Sequence, residues 1–293
     1  MTHESYSKVT RSLIVRHGFA PSVVDLLSDA TTADEFVTAA ALPDLVNELA
    51  CQVPGLGPQT SMLGHNLASL EHFQRADGRG YYWPGDESLT VAGRLVETAA
   101  AVAQAHVTVN HTGEPAPLVP MLDPPPVVAS VASQPSATVC SCDFPSAALG
   151  AAYYGEAARQ WAAQGNTAGW RRCAGYALHF VQDCLVPHHA WGCLLYGHAA
   201  FEDELEARWA RTLTDTVEAG LVGSQLAHAV WRELHPLDGA TSLDALCQSL
   251  AMATRAHFGG PTNLAECSGD VALAVSVRAV AASVRACELM TTS

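Results

Sequence analysis

The sequence predicts an all-α protein, built as one multi-helix domain over residues 1–293. Hydrophobic residues make up 49% of the chain, enough apolar material for a sizeable buried core. Alanine is abundant throughout, and Val, Ile and Thr rarely fall in alternating runs, so apolar positions recur at helical rather than strand spacing. No repeat and no second composition regime marks a further domain.

Residues 9–50 read as helical, with Leu13, Ile14, Val23, Val24, Leu26 and Leu27 at roughly helical spacing. Pro54, Gly55, Gly57 and Pro58 break that pattern. A helix is expected from Leu63 to Phe73, then a turn-rich loop from Asp77 to Asp86 carrying Tyr81, Tyr82 and Trp83, then a helix over residues 89–108. The Pro-rich segment at about 114–145 holds Pro115, Pro117, Pro120, Pro124, Pro125, Pro126 and Pro135, which exclude a continuous helix. It reads as a surface loop, although a loop of that length also suits a substrate lid. Cys140 and Cys142 lie within it, and with no second such pair they are a weak metal signal. From Ser146 to Asp183 the pattern is helix, turn at Gln164-Gly165-Asn166, helix, and further helices are expected over 198–220, 240–258 and 269–289.

A formal net charge of −14 argues against a broad basic surface for nucleic acid. It does not exclude a substrate phosphate held by bound cations, which invert the local field. No stretch is long and apolar enough to span a bilayer, and no cationic amphipathic face suggests docking on one, so no stable membrane insertion is expected. The N-terminus lacks a basic segment followed by an apolar run, and nine scattered cysteines suit free thiols in a reducing compartment. A cytoplasmic protein is the expectation.

The chemistry-bearing stretch begins at Leu178. His179 and Asp183 are four residues apart and share one face of a helix. Pro187 ends that helix, His188 and His189 follow the break, and His198 and Glu202 repeat the four-residue spacing on the next helix. Imidazole and carboxylate are the nitrogen and oxygen ligands that zinc accepts, and pairs held on helices lower the entropy of assembling a site. His106, His111, His228, His235 and His257 have no such company and read as ordinary core or surface histidines.

These residues resemble the zinc-dependent phospholipases C of bacteria and the related single-strand nucleases. In that family a helix carries Leu-His, three residues, then Asp; a Pro-x-His follows, and then a His with an acidic residue four positions on. Here stand Leu178-His179, Asp183, Pro187-His188-His189 and His198 with Glu202, preceded by a family-like helix with Ala157-Ala158-Arg159-Gln160-Trp161. The likeness covers residues 146–210 well and is weak elsewhere. It implies the phospholipase C fold and about two zinc ions. One ion would take His179, Asp183 and His72, from the acidic-His-Phe segment Glu71-His72-Phe73; the other would take His189, His198 and Glu202. His188 would support a ligand or touch substrate.

The chain also departs from the family. The family's third zinc uses the amine of a processed N-terminal Trp and a nearby His, and this sequence has no such Trp and places Arg11 where that His is expected. Arg11 reads equally as a stand-in cation or as a surface residue. An Asp expected before the acidic-His-Phe segment is replaced by Pro58-Gln59-Thr60-Ser61, leaving the general base unassigned; His65 is a substitute only if its position is not incidental. The resemblance implies a hydrolase that cleaves a phosphoester of a small, possibly phosphorylated molecule by metal-activated water. The departures keep two other readings open: a family member recruited to a non-phosphoester transformation in a biosynthetic pathway, and a pseudoenzyme stabilised by its metals.

Overall fold

A computed structural model of the protein describes residues 2–28, 33–41, 43, 146–191, 198–218, 225–258 and 269–291. Helices dominate these residues and no strand occurs among them, so the fold is all-α. The helices expected over 63–73 and 89–108, both loops, and His65, His72, Cys140 and Cys142 lie outside the described residues.

Helix α1, Thr2–His17, begins seven residues earlier than the sequence pattern suggests. It buries Tyr6, Val9, Leu13 and Ile14, together with the small polar residues Ser7 and Thr10. It stops at Gly18, whose φ of 69° is a left-handed conformation that glycine adopts without a Cβ penalty; the Gly18 N–H donates to the Ile14 carbonyl at 3.2 Å. Pro21 then opens a single 3-10 turn, Pro21–Val23, followed by the short helices α2, Val24–Leu27, and α3, Ala33–Ala39. The stretch read as helical from residue 9 onward is divided among several helices over its described residues, because Gly18 and Pro21 interrupt the apolar periodicity.

The expected helical hairpin is present. Helix α4, Ala147–Ala163, is capped by Ser146, and helix α5, Thr167–Asp183, by Asn166, whose Oδ1 accepts from the Gly169 N–H at 2.9 Å. Helix α6, Pro187–Trp191, follows a turn, with proline at its first position. Then come α7, His198–Glu218; α8, Gln225–Leu234; a 3-10 turn, His235–Leu237; α9, Leu243–Phe258; and α10, Gly269–Leu289. Helix α8 was not anticipated: it is short and buries only Val230.

Helix α5 is the central element, packed by α1, α3, α4, α9 and α10 and buried along nearly its whole length. Burying Leu178, Phe180 and Val181 stabilises the fold by about 1.5–3 kcal/mol each. The same helix also carries His179 and Asp183 into the core, and their desolvation offsets part of that gain unless each is paired. Helix α3 comes unusually close at Gly175, where a Cβ would lie 2.6 Å from the carbonyl oxygen of Phe36 and 2.6 Å from the Ala39 Cβ. No described helix is long and apolar enough to cross a membrane.

Candidate metal centre

The last turn of α5 presents His179 and Asp183 on one face, as their spacing requires. Both side chains are almost fully buried. The close approach of α3 puts the Ala40 carbonyl oxygen 2.7 Å from His179 Nδ1. A carbonyl only accepts, so Nδ1 carries the ring proton and Nε2 presents its lone pair. That Nε2 stands 3.3 Å from Asp183 Oδ2. A second imidazole enters from α1: His3 Nε2 lies 3.6 Å from Asp183 Oδ1, and its ring centroid is 4.0 Å from that of His179.

The other group forms where α6 meets the start of α7. Proline at the head of α6 turns the chain back, and His189 Nε2 comes to 2.7 Å from His198 Nε2. His198 Nε2 lies 3.0 Å from Glu202 Oε1, one helical turn on, and His189 Nε2 lies 3.4 Å from the same oxygen. Burial alone would raise the Glu202 carboxyl, but the hydrogen bond from His198 and the charges of His198 and His189 outweigh it and hold it at about 2. Glu202 is therefore a carboxylate at any ordinary pH. The two groups meet at Asp183, whose Oδ1 is also 3.3 Å from His189 Nδ1.

Two sets of donors thus converge, His3–His179–Asp183 and His189–His198–Glu202, and in each the candidate ligand atoms lie within 4.8 Å of one another. Ligands at about 2.0–2.1 Å around a tetrahedral ion stand about 3.3 Å apart, close to the 3.0 and 3.4 Å that Glu202 makes with the two imidazoles. A proton can join these nitrogen and oxygen lone pairs only two at a time. One cation satisfies three together. Both groups can hold a metal ion.

The remaining sequence candidates fall as follows. His188 is fully buried, its ring stacked on His198 with centroids 5.1 Å apart and set edge-on to Phe201, so it braces a ring of the second group. Arg11 donates from Nε to the Leu27 carbonyl at 3.2 Å, which ties α1 to the end of α2. The imidazole that α1 brings to Asp183 is that of His3, which sequence reasoning missed. Its signal was the buried stripe of Ser7, Thr10 and Ile14, which continues one turn back to His3 once α1 is known to start at Thr2. Among the histidines set aside, His228 stacks on Trp231, His235 pairs with Asp238 at the surface, and His257 lies edge-on to Phe258.

Comparison of the chain with protein-family models, curated proteins and solved structures gives no match.

Proposed function

We propose that the chain is a zinc-dependent hydrolase of phosphoesters, a divergent member of the zinc-dependent phospholipase C and nuclease group, acting on a small phosphorylated molecule. The observation that carries this reading is the position of Asp183. Its two carboxylate oxygens serve His3 and His189 on one side and His179 on the other, so a single buried anion joins two donor sets. Side-by-side cations suit a substrate with several negatively charged oxygens. Zinc suits donor sets of imidazole nitrogen and carboxylate oxygen with no thiolate among them.

Ions bound at the two groups would polarise a phosphoryl oxygen and lower the pKa of an attacking water. The protein residues do the rest. Asp183 and Glu202 bring two negative charges against the ions, so a net positive field is left for an anionic substrate in a chain that carries −14 overall. Ala40 fixes the orientation of His179, and His188 supports that of His198, so the donors are held before an ion arrives.

The test is to strip the protein of metal, titrate zinc back, and follow hydrolysis of bis(p-nitrophenyl) phosphate and p-nitrophenyl phosphate. Turnover should rise with zinc up to about two ions per chain and disappear in Asp183→Asn. Zinc uptake without hydrolysis of either ester would point to metals that hold the fold together. No zinc uptake at all would sink the reading.

A further inference from the structure

Gln182 sits beside Asp183 on α5 and is 2% exposed, and its amide meets side chains of α1 and α10. Its surroundings fix its amide in one orientation. The Ser283 hydroxyl donates its only proton to the Ala279 carbonyl at 2.7 Å. Toward Gln182 it can therefore only accept, and the Gln182 amide nitrogen donates to it at 2.9 Å, with Ser7 Oγ as a second acceptor at 3.5 Å. Oε1 is then the end that faces His3, 2.9 Å from its Nδ1.

We propose that Gln182, with its amide oriented by Ser283, is a positioning residue that holds His3 in the tautomer protonated at Nδ1 and so keeps His3 Nε2 open to a metal ion. The proposal rests on the reading of His3, His179 and Asp183 as a metal group. The need for such a device follows from Asp183. Its Oδ1 lies 3.6 Å from His3 Nε2, and without an ion it draws the imidazole proton to that nitrogen, which masks the ligand atom. A neutral histidine has one ring proton, and the Gln182 carbonyl claims it from the far side. His179 is set in the same way by a backbone carbonyl, so the two rings, 4.0 Å apart, turn the same nitrogen toward Asp183.

The experiment compares wild type with Gln182→Leu, which lacks the acceptor, and Gln182→Glu, which keeps an oxygen in its place. Ring nitrogen chemical shifts of the metal-free proteins report the His3 tautomer, and competition with a chelating indicator reports zinc affinity at each site. Gln182→Leu should move His3 toward the Nε2-protonated form and weaken one of two zinc sites by about 10–100-fold, with the other unchanged. Gln182→Glu, which still offers His3 Nδ1 an acceptor, should restore the His3 tautomer. Should Gln182→Leu not fold, Ser283→Ala serves, because it leaves the acceptor but lets the amide turn over, and a mixture of tautomers is expected. A His3 tautomer and zinc affinities that stay at wild-type values overturn the proposal. Wild-type protein that takes up no zinc overturns the metal reading instead, while the tautomer in the metal-free variants still decides the role of Gln182.

Discussion

His189 reaches two carboxylates from opposite sides of one ring, with Nδ1 3.3 Å from Asp183 Oδ1 and Nε2 3.4 Å from Glu202 Oε1. A carboxylate on the far nitrogen of a ligating histidine fixes the ring and raises its basicity, so the two donor groups are energetically linked. Asp183→Asn should therefore abolish one zinc site and weaken the other by about 10–100-fold. His198→Ala, which touches the second group alone, should remove one ion and leave the other affinity near wild type. Elemental analysis and zinc titration check both. Replacing Cys140 and Cys142 together by Ser should leave metal content unchanged, and zinc loss in that variant would place the site elsewhere.

Glu202 gives the metal-free protein an acid limb. Its carboxyl is lowered from 4.5 to about 2, so its contribution to stability is complete above about 4.5 and is lost as pH falls toward 2. Glu202→Gln should flatten the fall in thermal midpoint over that window and leave the slope above it unchanged. An acid limb of the same steepness in the variant would mean that the His198 and His189 contacts do not hold the charge.

Gly175→Ala should cost about 1–3 kcal/mol, because the new methyl meets backbone at Phe36 and α3 has to back away. That movement carries the Ala40 carbonyl off His179 Nδ1, so zinc affinity at the first group should fall with stability. Gly169→Ala, whose Cβ would meet the Trp161 ring at 2.7 Å near the far end of α5, should lose stability alone. Chemical denaturation together with zinc titration separates the two effects.

Arg11→Ala should lose about 1 kcal/mol with its hydrogen bond to Leu27 and keep its full metal content. If the guanidinium also meets an anionic substrate, KM for a phosphoester rises at the same time; an unchanged KM leaves Arg11 with its bond to Leu27 alone.

The sequence made some of this legible and hid the rest for physical reasons. The helical hairpin and the pairs His179–Asp183 and His198–Glu202 could be read because cap, turn and four-residue spacing are local features. Asn166, Gly165 and the two i,i+4 pairs each act within one or two turns. The meeting of His189 with Asp183 depends on the turn before α6, and the place of His3 depends on how α1 docks on α5. No local pattern encodes either. The apolar periodicity after residue 9 marked helix but not its interruptions, because periodicity carries no sign of the left-handed residues Gly18 and Ala20, where the chain changes direction.

The two donor groups differ in how far apart their residues lie along the chain. His189 and His198 are separated by 9 positions, whereas His3 reaches Gln182 and Asp183 across some 179. Closing the longer loop costs roughly 3 kcal/mol more in chain entropy. In a refolding chain the second group can gather its ligands while the N-terminal helix is still free, and the first closes only when that helix docks. An ion caught early by His189, His198 and Glu202 would then act as a seed around which α5, α6 and α7 settle, and capture of an ion by His3 would report that the last long-range contact has been made.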